Sequence, residues 1–302
     1  MDADKIFVLG AGAIGSIYGA LLSRKKDVTL IGSQTHVEAI RAQGLKFTGD
    51  IDQNFRLKAD IRITEIQSNT LILLTTKAHD SVRAVSQIKR MLRKDTVILV
   101  LQNGLGNEEI VKELVGDEVE VLRGLTMMAA EFLEPGKIRV WKNETVIAKS
   151  KTAQEIAALF NDCGLETRIS RNITNEVWNK LVLNSVINPL TALFHIRNHE
   201  IASDTLKWVR HEIVQECLAI GKAEGIDLKI DLDELDRRIL SYTNLSSMCQ
   251  DVMKKKKTEI DFLNGKIAEL GHKHMIPTPV NQTLTCLTKF LEEKPVGARR
   301  QD

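Results

Sequence analysis

Lys5-Ile6-Phe7-Val8-Leu9-Gly10-Ala11-Gly12-Ala13-Ile14-Gly15 is an apolar strand running straight into a Gly-x-Gly-x-x-Gly turn. In such a turn Gly10 permits the sharp strand-to-helix reversal, Gly12 lets the main chain approach a pyrophosphate, and Gly15 lets the following helix pack closely on the strand. The anion then sits at the helix N-terminus, near Ala11, Ala13 and Ile14, where free N–H groups and the helix dipole favour negative charge. The surroundings agree: Ile17, Ala20 and Leu21 continue a helical face, and Asp27-Val28-Thr29-Leu30-Ile31 supplies the next strand. The expectation is a dinucleotide-binding α/β unit, with an ordinary glycine-rich turn as the alternative.

The form of this fold that takes NAD carries an acidic residue about 20 positions beyond the glycines, where it accepts from the ribose 2′-hydroxyl. Here the second strand ends in Ile31-Gly32-Ser33-Gln34-Thr35, with no carboxylate to repel a 2′-phosphate and no arginine to clamp one. NADP(H) is therefore the expected cofactor, with Ser33 and Gln34 as candidate contacts. Lys77, closing the run Leu73-Leu74-Thr75-Thr76-Lys77, supplies the positive charge or is a solvated loop lysine.

Working outward, 302 residues exceed one typical domain and suggest two. The balance of 42 basic against 40 acidic residues leaves no electrostatic footprint for nucleic acid or a membrane surface. No apolar run approaches the ~20 residues needed to cross a bilayer. The first core strand begins close behind Met1, so no signal or transit peptide is expected and the setting reads as cytoplasmic. Cys163, Cys217, Cys249 and Cys286 are scattered, without C-x-x-C or neighbouring histidine pairs, and read as reduced thiols; no metal site is expected.

The first half alternates short β-rich runs with helical stretches. Strands are expected at 5–9, 28–31, 70–76 and 96–101, and helices at 13–25, 35–43, 80–93 and 106–115. Runs near 119–127, 138–141 and 144–149 suggest a further β layer, followed by a helix at 152–163 and a strand at 165–169. Beyond about Ser170-Arg171-Asn172 strand signals vanish and helical periodicity takes over. The expected fold is α/β: an N-terminal Rossmann-type doubly wound sheet over 1–170 and a C-terminal all-helical domain over 171–302, with a frayed tail from Lys294.

In the helical half, Lys180, Asn184 and Asn188 recur every four residues, drifting about 40° per step, so one stripe presents an ammonium and two amides. That stripe borders a cleft or is the exposed side of a surface helix. A second polar cluster joins Asn244 and Ser247, three apart, to Glu259, which returns to nearly the same angle as Ser247 on a continuous helix. Lys254-Lys255-Lys256-Lys257 between them reads as a solvated face.

Taken in order, these residues resemble the 2-dehydropantoate 2-reductase (ketopantoate reductase) family of the 6-phosphogluconate dehydrogenase-like superfamily. The resemblance covers nearly the whole chain: Gly10-x-Gly12-x-x-Gly15, Thr76-Lys77-Ala78, Gln102-Asn103-Gly104, Asn179-Lys180-Leu181-x-x-Asn184, Asn188-Pro189-Leu190-Thr191-Ala192, Ser246-Ser247-Met248-x-Gln250-Asp251 and Thr258-Glu259-Ile260-Asp261-x-x-Asn264-Gly265. It implies reduction of ketopantoate to pantoate by NADPH, on the way to pantothenate and coenzyme A. By the same resemblance Lys180 is the general acid, Glu259 holds the substrate hydroxyl, and Ser247 with Asn244 engages its carboxylate end. Asn184, Asn103 and Asn198 are implied as further polar contacts, Asn103 also towards the cofactor. The family commonly has an arginine where this chain has Ser33. Reduction of a different 2-keto acid and a non-catalytic NADP(H) sensor are the rival readings. The partner is a small molecule, and the apolar residues Ile201, Leu206 and Val209 leave monomer and homodimer both open.

Overall fold

The computed structural model describes residues 3–293, so the tail expected to fray, Lys294–Asp302, lies outside the described residues. The chain divides into two units. One runs up to Gln102 and resumes over Gly106–Ile173; the other joins Asn103–Leu105 to the residues from Thr174 onward.

The first unit contains, in chain order, β1 (Lys5–Leu9), α1 (Ala13–Leu22), β2 (Asp27–Ile31), α2 (Gln34–Gln43), β3 (Leu45–Gly49), β4 (Gln53–Phe55), β5 (Lys58–Asp60), β6 (Thr70–Leu74), α3 (Ser81–Ile88), β7 (Val97–Val100), α4 (Asn107–Val115), β8 (Glu120–Thr126), β9 (Ala129–Glu134), β10 (Lys137–Trp141), β11 (Thr145–Ala148), α5 (Ala153–Asp162) and β12 (Thr167–Ser170). Eight strands form one sheet in the order β12-β11-β8-β7-β6-β1-β2-β5. Its neighbours run parallel except for β8 and β11.

The strand sequences explain this burial. Thr70-Leu71-Ile72-Leu73-Leu74 and Val97-Ile98-Leu99-Val100 are continuous apolar runs because helices cover both faces of a parallel sheet. Alternate residues point opposite ways: Ile6, Val8, Leu71, Leu73 and Leu99 pack with α1 and α5, whereas Phe7, Leu9, Ile72, Leu74 and Ile98 pack with α3 and α4. Each such side chain contributes roughly 1.5–3 kcal/mol through burial. The strand ends carrying Gly10, Gly32 and Thr75 are thus held rigidly side by side.

The runs expected to form one further β layer divide instead. β8 and β11 extend the large sheet, and β10 joins a separate four-stranded sheet of order β4-β3-β10-β9. The strands of that sheet are short and interrupted by Gly44, Gly49 and charged residues, so period-two alternation is barely visible. The helix expected at 80–93 is also shorter, since α3 ends at Ile88 and its flanks are single 3₁₀ turns.

His36 ties the small sheet to the first two helices. Its Nδ1 accepts the Gly136 N–H at 3.0 Å, so its proton resides on Nε2, which faces Ser16 Oγ at 3.2 Å. The ring also packs on Phe132 with centroids 4.9 Å apart, and burial pulls its pKa down to about 4.

The second unit holds α6 (Ile173–Phe194), α7 (Lys207–Ala223), α8 (Leu232–Leu240), α9 (Ser247–Met253), α10 (Asn264–His274) and α11 (Pro279–Glu293), and among the described residues it has no strand. Its core is built from Trp178, Leu181, Val186, Ile213, Ile220 and Ile267 with their neighbours. Ile201 is fully buried in that core and Leu206 and Val209 pack against it, so the apolar face considered for pairing copies is largely internal. One expectation is corrected at α9. The helix stops at Met253 and the exposed Lys254–Lys257 segment follows, so Ser247 and Glu259 do not share a continuous helix.

The four cysteines are free, and Cys217 and Cys249 are pushed up to about 12 and about 11 by burial. Among the described residues no cluster of metal-ligating side chains occurs, and no helix is long and apolar enough to cross a membrane.

Candidate active site

In the first unit the glycine turn is shaped by the strands around it. Gly10 has φ +117°, and a Cβ there would lie 2.6 Å from the Thr75 carbonyl carbon and nearer still to the Thr76 nitrogen. A Cβ on Gly15 would strike the Gly10 carbonyl and lie 2.5 Å from Thr75 Oγ1. The same hydroxyl donates to the Gly10 carbonyl at 2.8 Å, and the Gly10 and Ala11 N–H groups both donate to the Ile31 carbonyl, at 3.0 and 2.7 Å. By contrast, a Cβ on Gly12 meets nothing within 4 Å. Gly12 precedes α1, whose N-terminus has no side-chain cap and no acidic residue in its first turn. An uncapped helix N-terminus beside an open glycine fits the diphosphate of a dinucleotide.

Ser33 and Gln34 are exposed at the start of α2, where Ser33 is the N-cap residue with its hydroxyl 3.5 Å from that of Thr35. The Gln34 amide donates to Glu38. Beside them β5 places Asp60 level with Ile31, and Arg41 Nη2 holds its carboxylate at 3.1 Å. This acid–base pair was missed because β5 is three residues long. Lys77 is half-buried and precedes the Ala78–Asp80 turn. Gln102 secures that loop: its Nε2 donates to the Thr76 and Lys77 carbonyls at 2.8 and 3.2 Å.

In the second unit Lys180 and Asn184 lie one turn apart on α6, both half-buried, and Asn188 one turn further on is buried. The stripe is therefore not the exposed side of a surface helix. Asn198 opens the 3₁₀ turn Asn198–Ile201, and its N–H donates to the Asn244 carbonyl at 3.1 Å, so two candidates 46 residues apart share one loop junction. Arg197 reinforces it by donating to the Thr243 carbonyl at 2.8 Å. Arg210, fully buried, donates to the Ile201 and Ser203 carbonyls and pairs bidentately with Asp236 at 2.8 and 2.9 Å. Arg210 and Asp236 thereby fix the loop that carries Asn198. Nothing in their local sequence signals this; the two lie on different helices.

Ser247 is the first residue of α9, directly after the N-cap Ser246. Ser246 accepts the Cys249 N–H at 3.0 Å and its hydroxyl lies 2.6 Å from Thr191 Oγ1, joining α9 to α6. Glu259 is 6% exposed, and Asn103 Nδ2 donates to its Oε2 at 3.4 Å. Asn103 reaches it because Asn103–Leu105 packs with the helical unit: Leu105 N–H donates to the Phe262 carbonyl at 3.2 Å, and Gly104, at φ +84°, has Phe262 where a Cβ would stand. The candidates thus form three groups: Lys180 with Asn184, Asn198 with Asn244 and the neighbouring Ser247 turn, and Asn103 with Glu259. Chemically, the unit offers an ammonium, several amides and a hydroxyl, and a buried carboxylate.

Comparison with known proteins gives a consistent picture. Residues 6–151 match the family Ketopantoate reductase PanE/ApbA, and residues 172–292 match its C-terminal counterpart. The chain is 36% identical over 299 residues to 2-dehydropantoate 2-reductase of Pyrococcus abyssi, covering 95% of this chain and 98% of that one. Among solved structures, a PanE/ApbA family ketopantoate reductase from Ralstonia eutropha superposes with a TM-score of 0.89 at 32% identity, covering 96% of this chain and 98% of that one. D-mandelate dehydrogenase with NADH and anilino(oxo)acetate superposes with a TM-score of 0.86 at 28% identity, over the same shares of the two chains.

Proposed function

The chain belongs to the ketopantoate reductase PanE/ApbA family, and from that membership we propose that it reduces 2-dehydropantoate to pantoate with NADPH, a step towards pantothenate and coenzyme A. The domain over 1–170 binds the dinucleotide through Gly10, Ala11, Gly12, Ala13, Ile14 and Gly15, and the helical domain over 171–302 carries the substrate-binding and catalytic groups. Preference for the phosphorylated dinucleotide is supported by the lack of a carboxylate at Ser33-Gln34-Thr35, with Ser33, Gln34 and Lys77 as contacts. The reaction belongs in the cytoplasm, where thiols such as these four stay reduced.

The bound dinucleotide supplies the hydride. As the ketone carbon is reduced, negative charge grows on its oxygen, and Lys180 meets that charge and donates the proton. Ser247 and Asn244 hold the carboxylate end, and Asn184 and Asn198 add amide contacts. Glu259 accepts from the substrate hydroxyl, with Asn103 beside it.

The buried Glu259 carboxylate carries the choice of substrate. An acceptor withdrawn from water loses a hydrogen-bond partner when a substrate arrives without a hydroxyl, and such sites discriminate strongly. A 2-keto acid with an apolar side chain is the second reading, favoured by the similarity to D-mandelate dehydrogenase. A substrate panel followed by NADPH oxidation separates the two. Turnover of ketopantoate well above that of keto acids lacking the hydroxyl, with the preference lost in Glu259→Gln, supports the proposal; faster turnover of aryl or alkyl keto acids overturns it.

A further inference from the structure

Pro189 lies inside α6. It has no N–H, so the carbonyl four residues back, that of Ser185, loses its donor within the helix. The Asn264 side chain supplies the replacement, donating from Nδ2 to the Ser185 carbonyl at 2.9 Å. Asn264 is the first residue of α10 and is fully buried; its Nδ2 also donates to Asn281 Oδ1 at 2.9 Å. Asn281, in the first turn of α11, donates its own Nδ2 to Glu216 Oε2 of α7 at 2.7 Å. Glu216 further accepts the Val280 and Asn281 N–H groups at 2.8 and 2.9 Å.

This relay has a direction. Glu216 accepts from two main-chain N–H groups and again from Asn281 Nδ2, so Asn281 turns its NH₂ to Glu216 and its oxygen to Asn264. Asn264 must then present its NH₂, which is what the Ser185 carbonyl requires. Four helices are joined at the one rung that α6 lacks.

The position of that rung matters. Lys180 and Asn184 precede it, Asn188 lies within it and Thr191 follows it, and Thr191 is fastened to the Ser246 cap ahead of Ser247. A helix with an interrupted ladder bends at the interruption, in a direction set by what its freed carbonyl binds. We propose that Asn264 is a positioning residue for the reduction: by holding the Ser185 carbonyl it sets the angle between the half of α6 that carries the proton donor and the half fastened to the substrate's carboxylate anchor. The proposal rests on the reading of Lys180 and Ser247 given above. A small misplacement of reacting groups slows an oriented reaction far more than it weakens binding.

Asn264→Ala and the double variant Asn264→Ala/Pro189→Ala test it, alongside the wild-type enzyme and Lys180→Ala. In the double variant position 189 regains a main-chain N–H for the Ser185 carbonyl, which repairs the ladder without the relay. The single variant is expected to melt earlier and to lose roughly ten-fold or more in kcat, with KM for ketopantoate near the wild-type value. The double variant is expected to regain the melting temperature but not kcat, with its kcat–pH profile displaced from that of the wild type. Recovery of kcat together with melting temperature in the double variant overturns the proposal, as does a single variant with wild-type kcat. If the single variant does not fold, the double variant decides. Wild-type protein inert towards ketopantoate, or a fully active Lys180→Ala, overturns the functional reading and this proposal with it.

Discussion

Around Gly10–Gly15 the features that matter belong to the main chain: a positive φ, close approaches that exclude a Cβ, and a helix N-terminus without a cap. Around Lys180, Ser247 and Glu259 they belong to side chains that α6, the start of α9 and the loops bearing Asn103 and Glu259 deliver from separate parts of the sequence. In the first region Gly10 and Gly15 exclude added volume, whereas the second region is defined by the functional groups its side chains carry. Substitutions should therefore fail in different ways in the two regions.

The sharpest separation is expected from Lys180→Ala. Loss of a general acid lowers turnover by roughly 10²–10⁴-fold. Dinucleotide affinity, followed by quenching of protein fluorescence, should stay near the wild-type value; a parallel fall in both quantities would erase the distinction between the units.

Within the glycine turn the contrast is steric. Gly10→Ala drives a Cβ into the main chain of Thr75 and Thr76 at a backbone conformation suited to glycine, and should lower unfolding free energy by on the order of 3 kcal/mol in denaturant titrations. Gly12→Ala places its methyl in open space and should leave stability nearly unchanged while weakening dinucleotide binding, by roughly ten-fold if about 1.4 kcal/mol of diphosphate contact is lost. Equal stability losses in both variants would show that Gly12 serves packing instead.

His36 extends the comparison to pH. Its folded pKa, about 4, lies below the ordinary value of 6.5, so the unfolded chain takes up a proton as the pH falls through 6.5 while the folded chain does not until near 4. The stabilisation is complete above about pH 6.5 and is lost between there and pH 4, amounting to about 3 kcal/mol in the limit. Urea titrations between pH 7 and 4 should show this decline in the wild type and a shallower one in His36→Asn. Identical slopes would remove His36 from the acid response.

The smallest effect expected is at the end of β2. Ser33→Arg introduces a guanidinium suited to a phosphate and should raise the preference for NADPH over NADH roughly ten-fold, equivalent to about 1.4 kcal/mol. No change in that ratio would place the 2′-phosphate away from Ser33.

Much of the first unit was legible in the sequence because its signals are local. Continuous apolar runs such as Thr70–Leu74 declare a strand buried on both faces, and the glycine spacing declares the turn. The small sheet was not legible: β3 pairs with β10, some 90 residues away, and no short window of sequence contains that pairing. In the second unit the stripe Lys180, Asn184 and Asn188 could be read from helical spacing, whereas extending a helix from Ser247 to Glu259 failed because the lysine run interrupts it.

The sequence by itself determined the strand–turn–helix opening, the change to an all-helical second half, and the polar groups available for chemistry, since these depend on residue type and near-neighbour periodicity. Tertiary structure decided which of those groups meet. Asn103 reaches Glu259 across 156 positions, Asn198 shares a junction with Asn244, and Asn264 completes the rung that Pro189 removes. Such pairings arise when buried polar groups must find partners among whichever helices the apolar core has brought alongside. That choice is made by packing over the whole unit, and local sequence carries no record of it.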